Sequence, residues 1–389
     1  MSENVTIRKI SSRQDKRRFV RMMWDIYRDD PNWVPPLEMD RMKLIDEKKN
    51  PFYSHAETGW WLAERNGQPV GRIAAIVNHN YNQAQNERAG FFGFFECIDD
   101  ANVAKALFQV AESWLKEREM NIVYGPANPS SNDEYGLLID GFDRPPVLLM
   151  TYNPPYYAAL IEQNGYAKEQ DLYAYLLSQD TARSDKLVRV SKAMAERNKI
   201  TVRPMNTKRF AEEVEHIKRI YNAAWQNEGF VPFTDAEMDF LARDLKQIYD
   251  PELVLFAEVD GRAVGFALSL PDVNQAFHSG IKIPRGIANL PIGIWKLLTK
   301  KKAIDTIRII VLGVLKEYRH RGVDALLYTE TMNVAKRKGY RYGEASWVQE
   351  SNIPMNRAAQ MMNGVKYKTY RVYRKNLNQD LQDGKDLQD

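Results

Sequence analysis

The chain has 389 residues, room for two domains of roughly 100–200 residues each. Its 55 basic and 51 acidic side chains leave a net charge of +4, too small an excess to argue for a nucleic-acid partner. The single cysteine, Cys97, excludes an internal disulfide and a cysteine-based metal site; the five histidines stand apart, so no metal is expected. In chain order, the first 21 residues are polar and charged, unlike a signal peptide. No apolar run approaches the roughly 18 residues of a membrane span, so a cytoplasmic protein is expected, with the inner membrane face also open to it.

Residues 63–71 (Ala-Glu-Arg-Asn-Gly-Gln-Pro-Val-Gly) place an Asn-Gly turn between two short apolar runs, which predicts a β-hairpin. Phe95–Val103 follows, with neither Arg nor Gly and with Asp99 and Asp100 side by side. The polar stretch Asn128–Tyr135 comes next, then Tyr152 and Asn153, whose phenol and amide could orient a polar substrate or cap a loop. A helix ending in Asn164-Gly165 and an alternating strand, Asp171–Leu177, close this half. The polar, charged residues 181–196 read as a linker, with a helix expected over Lys186–Arg197.

The second half repeats these landmarks. Residues 257–265 (Ala-Glu-Val-Asp-Gly-Arg-Ala-Val-Gly) predict a matching hairpin, 194 residues on. Asn153, Pro155, Ala159, Asn164 and Gly165 recur as Asn352, Pro354, Ala358, Asn363 and Gly364, each displaced by 199. Helices are expected at Phe210–Asn227, Asp235–Ile248 and Val323–Lys338, and strands at Ile307–Leu315, Arg341–Val348 and Lys366–Tyr373. Each Asn (153 and 352) should mark a strand giving way to a helix. The reading is a mixed α/β protein of two tandem domains, 1–180 and 197–376, each a mostly antiparallel sheet flanked by helices. The tail 377–389 should be disordered.

Two segments of the second half carry chemistry. The strand ending Leu312-Gly313-Val314-Leu315 runs into Lys-Glu-Tyr-Arg319-His320-Arg321-Gly322-Val323-Asp324 and a helix. Unpaired N–H groups at a helix start, a glycine permitting close approach and two arginines together suit a phosphate, though a solvated basic loop would read alike. On Glu344-Ala-Ser-Trp-Val-Gln-Glu350, alternation puts Glu344 and Glu350 on one face. Burial of Glu344 would raise its pKa towards that of a base. Trp347 could wall a pocket.

Arg319-x-x-Gly322 between strand and helix, and the closing strand, Asn352 and helix, resemble the GCN5-related N-acetyltransferase (GNAT) superfamily. That resemblance implies acyl-CoA as the donor, with backbone of Leu312–Leu315 along the pantetheine and Arg319–Asp324 on the pyrophosphate. It puts Asn352 near the thiol end; with the candidate bases Glu344 and Glu350 read from the strand itself, these are the expected catalytic residues. Where this family prefers Gly or Ala, the chain has Asp324, which leaves an acyl-carrier-protein donor open. The first half lacks the loop and should not bind donor. More loosely, the tandem layout with Glu344-x-Ser-Trp-x-x-Glu-x-Asn352 resembles the group containing bacterial ceramide synthases, which implies a long-chain, sphingoid-type amine acceptor. An acetyltransferase of small amines or protein lysines, and a non-catalytic CoA- or lipid-binding module, are the alternatives. The insertion at 281–302, with Trp295 and Lys300-Lys301-Lys302, fits a membrane contact, a substrate-lining segment or a plain lid.

Overall fold

The computed structural model describes residues 5–181, 185–224 and 231–378. The strands are β1 (Thr6–Lys9), β2 (Ala56–Arg65), β3 (Gln68–Asn78), β4 (Ala89–Cys97), β5 (Ile122–Gly125), β6 (Ala127–Asn128), β7 (Glu134–Tyr135), β8 (Leu137–Asp140), β9 (Ala167–Ser178), β10 (Ile200–Pro204), β11 (Val254–Val259), β12 (Arg262–Pro271), β13 (Thr306–Val314), β14 (Tyr342–Gln349) and β15 (Val365–Asn376). The helices are α1 (Arg13–Arg21), α2 (Met23–Ile26), α3 (Glu38–Leu44), α4 (His79–Gln85), α5 (Ala101–Lys116), α6 (Tyr157–Gln163), α7 (Asp185–Asn198), α8 (Phe210–Ala224), α9 (Asp235–Leu245), α10 (Asn274–His278), α11 (Asn289–Lys300), α12 (Val323–Arg337) and α13 (Ile353–Met361). The expected hairpins, helices and strands appear with ends shifted by a few residues. Residues 225–227, expected to extend α8, lie outside the described residues.

Two compact units form, and neither follows chain order. The first takes Met1–Asp171, Phe277–Leu298 and Thr369–Asp389; the second takes Leu172–Ala276 and Thr299–Lys368. In the first, β1, β2, β3, β4 and β5 lie side by side, and β5 pairs antiparallel with the end of β15 (Tyr373 opposite Gly125). In the second, β10, β11, β12, β13 and β14 do the same, and β14 pairs antiparallel with β9 (Tyr342 opposite Ser178). Each sheet is antiparallel except at one place, β4–β5 or β13–β14, where the pair is parallel. The strand expected to finish the first copy thus completes the second unit, and the reverse holds for β15.

The repeated hairpins owe their sequence likeness to packing. Asn66-Gly67 and Asp260-Gly261 all have positive φ (51°, 73°, 49° and 75°), the conformation that closes a two-residue turn. A Cβ on Gly71 would meet the Leu107 side chain of α5 at 2.7 Å; one on Gly265 would meet Val323 of α12 at 2.8 Å. Both glycines let a helix lie close on the sheet. Val103, Leu107 and Phe108 of α5 share a core with Phe92 and Tyr373; Val323 and Leu327 of α12 share one with Phe256 and Phe266.

Several expectations change. β1 precedes α1 and β10 precedes α8, where the sequence suggested helices first. The expected linker contains α7, which belongs to the second unit, with Ser191 buried beside Thr329 at 3.3 Å. Leu377 is not tail: it is buried in the first core and its N–H donates to the Asn121 carbonyl at 2.8 Å. Residues 379–389 lie outside the described residues. Asn352 caps α13 as expected. Asn153 caps nothing: α6 starts at Tyr157, and the Asn153 amide accepts from Leu138 N–H (2.8 Å) and donates to the Leu138 carbonyl (3.1 Å).

In the first unit, parallel pairing of β4 with β5 ends at Phe91–Tyr124. The opening beyond it is filled by β6. Asn128 Oδ1 accepts from the Phe94 N–H at 2.5 Å, and Gly93 faces the Ala127 carbonyl so closely that any Cβ there would overlap it.

Two outcomes follow from these arrangements. Residues 1–180 expressed alone lack the β15 partner of β5 and should show no cooperative urea transition; a sharp, two-state transition would contradict the exchange of strands. Gly93→Ala in the full chain should lose about 2–4 kcal/mol of stability, read from the same titration, whereas an unchanged midpoint would mean β6 does not lock the opening.

Candidate active site

In the second unit β13 and β14 also part early. Thr306–Ile309 pair with Tyr342–Ala345, and no register continues beyond Ile309–Ala345 although β13 runs to Val314 and β14 to Gln349. On its other side β13 stays paired with β12 as far as Val314. Residues 310–314 therefore turn one backbone edge towards an opening, and Ile310, Val311 and Leu312 are only half-buried there. Peptide groups along such an edge can bond an extended ligand carrying amides of its own.

The open edge leads directly to a helix start. After Leu315 a single 3-10 turn, Lys316–Tyr318, redirects the chain. His320 and Gly322 then take positive φ (62° and 83°) and α12 begins at Val323. Gly322 has no side chain with which to cap the helix, and the first intrahelical bond is Leu326 N–H to Gly322 carbonyl. The N–H groups of Val323, Asp324 and Ala325 precede that bond and have no partner within the helix. The loop is braced from behind by α7: Asn198 Nδ2 donates to the Arg321 carbonyl at 3.2 Å, and Gly322 leaves no room for a Cβ against Met194 (2.8 Å).

The two arginines differ. Arg319 donates to the Ala224 carbonyl at the end of α8 (2.6 Å), so it ties the loop to that helix. Arg321 is exposed, its guanidinium 5.1 Å from the Tyr318 ring centroid, and offers a planar donor face beside the helix start. His320 and Asp324 are exposed, Asp324 in the first turn, where a carboxylate favours the helix dipole but opposes a bound anion.

Where β13 and β14 separate, polar side chains are buried. Glu344 is fully buried and lies opposite Arg308 in the register. Ser346 Oγ donates to Glu344 Oε1 at 2.5 Å and accepts from Arg308 Nε at 3.0 Å. Arg308 Nη2 also donates to the Ser346 carbonyl at 3.3 Å. The phenol of Tyr367, half-buried on β15, donates to the other oxygen of Glu344. Lys368 beside it is fully buried. Two hydroxyls bond this buried carboxylate directly, and the Arg308 cation reaches it through Ser346. Arg308 escaped the sequence reading: one basic residue in an apolar strand carries no pattern.

The remaining candidates fall in two places. Glu350 sits at the end of β14 with the Tyr173 hydroxyl 3.5 Å from Oε2. Asn352, exposed, uses its side chain to accept the Met355 N–H at 3.2 Å. The turn between them is held by Asn356, another unanticipated residue, whose amide donates to the carbonyls of Gln349 (2.9 Å) and Asn352 (2.9 Å) and accepts from Tyr175 (2.8 Å). Trp347 is half-buried. Tyr152, Asn153 and Trp295 belong to the first unit. Tyr152 donates to the Asp30 carboxylate at 2.9 Å, and the Asn153 amide is bonded to the Leu138 backbone of β8.

The helix start that corresponds in the first unit is already filled. Asp100 caps α5, accepting from the N–H groups of Asn102 (2.9 Å) and Val103 (3.4 Å). Arg65, bonded to it at 2.7 Å, holds its carboxyl below the usual carboxylate range. The protein's own carboxylate thus occupies the position an anion would take.

The sequence matches the model of the acetyltransferase (GNAT) family over residues 214–364. It is 37% identical over 384 residues to the "Bacterial ceramide synthase" of Caulobacter vibrioides (strain NA1000 / CB15N), covering 96% of this chain and 98% of that one. It is 36% identical over 380 residues to "Protein YghO" of Escherichia coli (strain K12), covering 95% of each. Among solved structures it resembles a tandem GNAT protein from the clavulanic acid biosynthesis pathway, with a TM-score of 0.55 at 12% identity over 96% of this chain and 99% of that one. By the family match over residues 214–364, with full-length relatives beside it, and by two GNAT-like units in its fold, this chain belongs to the GNAT family in its tandem form.

Proposed function

We propose that the second unit binds acyl-CoA and transfers its acyl group to a primary amine, with a long-chain, sphingoid-type amine as acceptor. One observation carries this reading: the unpaired edge of β13 leads without interruption into the uncapped start of α12. The pantetheine amides would lie along 310–314 and Leu315, and the pyrophosphate on Gly322–Asp324 with Arg321 beside it. Arg319 and His320 would shape the loop that receives it. The name of the Caulobacter relative supports the choice of acceptor, because identity extends along both chains.

The chemistry needs the amine nitrogen to attack the thioester carbonyl carbon. A tetrahedral oxyanion forms, the C–S bond breaks, the amide remains and the CoA thiolate takes a proton. The amine must lose a proton on the way. In our reading Glu344 takes it through the Tyr367 hydroxyl, since Glu344 itself is fully buried and Tyr367, which bonds it, is half-buried. Arg308 and Ser346 position that carboxylate. Glu350, near the mouth of the opening, is the second candidate base, and Asn352 would fix the turn that borders the thiol end. Trp347 would wall the acceptor side.

The test is thiol release by the full chain with acetyl-, octanoyl- and palmitoyl-CoA, each with sphinganine or 3-ketosphinganine, and mass spectrometry of the products. An N-acylated long-chain base is the expected product. Turnover with small amines alone would overturn the assigned acceptor. Glu344→Gln and Tyr367→Phe should each lower kcat roughly 100-fold or more with KM for the donor little changed. Wild-type kcat in both variants would remove the pair from the mechanism and leave Glu350 to be tested as the base.

A further inference from the structure

Helix α11 is built with its polarity reversed. A helix on a water-soluble protein normally turns apolar residues inward and polar ones outward. Here Asn289, Gly293 and Lys296, spaced on one face, are the residues that pack against the first unit. Asn289 is 1% exposed, accepts from the Glu38 N–H at 2.7 Å and donates to the carbonyls of Pro36 (3.1 Å) and Pro284 (2.9 Å). Lys296 is also 1% exposed, and its ammonium donates to the carbonyls of Phe277 (2.5 Å) and Ile281 (2.6 Å). Gly293 admits the Leu37 side chain between them. The segment before the helix is equally tied down, by Trp24 Nε1 to the Ile283 carbonyl at 3.0 Å and by Arg285 to Asp25 at 2.6 Å.

The outward face is therefore apolar. Ile294, Trp295 and Leu298 are 47%, 54% and 77% exposed, and Ile281 and Ile287 in the preceding turns are 75% and 99% exposed. So much apolar surface on a helix otherwise anchored by hydrogen bonds marks a contact surface. Its charge selects the occupant. The helix contains no carboxylate and ends in Lys300, followed by Lys301 and Lys302, all exposed. Twelve residues reach about 18 Å, too short for a membrane core of about 30 Å, and among the described residues no helix is long and apolar enough to cross one. Such a helix suits the plane of the interface, with the tryptophan at headgroup level and the lysines on anionic headgroups.

From this we infer that α11, with Ile281 and Ile287, seats the protein on an anionic lipid bilayer. The inference holds whichever amine the second unit acylates. The full chain is sedimented with phosphatidylcholine vesicles containing or lacking phosphatidylglycerol, at low and high salt. Binding should need phosphatidylglycerol and weaken with salt. Leu298→Asp and, as a second variant should that one misfold, Ile287→Asp should each reduce binding about tenfold or more. Replacing Lys300, Lys301 and Lys302 by Ala should cost roughly 100-fold at low salt, about fivefold for each lysine. Unchanged urea midpoints in these variants would show that the loss is not unfolding. Equal binding to both kinds of vesicle, or wild-type binding by the variants, would overturn the proposal. So would self-association that Leu298→Asp abolishes in a chain that does not bind vesicles, because the face would then meet protein.

Discussion

The parting of β13 and β14 is the feature on which the site depends. Two parallel strands that remained paired would satisfy their own peptide groups and leave nothing for a ligand. Here the pairing stops at Ile309–Ala345, and a side chain takes over at that point: Arg308 donates to the Ser346 carbonyl, in a place where a backbone partner would otherwise serve. The same guanidinium holds Ser346 Oγ, which holds Glu344. One buried arginine thus bonds the backbone where the pairing stops and, through Ser346, reaches the Glu344 carboxylate. The cost of burying Arg308 and Glu344 is offset because each is surrounded by partners in fixed geometry.

The first unit gives a contrast built from the same elements. Its parallel pair parts as well, after Phe91–Tyr124, and its hairpin glycine sits under its helix just as Gly265 sits under α12. Yet Asn128 and the Ala127 carbonyl fill the opening, and Asp100 takes the helix start. Glu96, raised by burial above the ordinary carboxyl range despite Arg72, is held by Tyr27 (2.8 Å) and Tyr157 (2.7 Å), both fully buried. These groups bond one another within the buried interior of the first unit.

Much of this was legible in the sequence, and the limits have physical causes. Turn chemistry announced both hairpins, because positive φ at Asn66-Gly67 and Asp260-Gly261 follows from residue type alone. Strand, glycine and helix in succession announced the tight turn at Gly322 into α12. The exchange of β9 and β15 was not legible: both alternate apolar and polar residues, and alternation specifies a face, not a sheet edge. The short strands β1 and β10 were hidden by the strongly helical segments that follow them. Asn153 matched Asn352 by spacing, yet it bonds Leu138 of a neighbouring strand, a partner that depends on the tertiary fold. The roles of Arg308 and Asn356 likewise exist only once β13, β14 and α13 are brought together. The insertion's apolar and basic residues were visible, but not that Lys296 would point inward and Trp295 outward.

The central claim is that one groove, in the second unit, receives the donor. Calorimetric titration of CoA into the full chain measures it directly. The account predicts one site per chain, weakened about tenfold or more by Arg321→Ala through loss of a charge-assisted contact, and untouched by Asp100→Asn. Two equivalent sites per chain, or a single site indifferent to Arg321 and sensitive to Asp100, would contradict it.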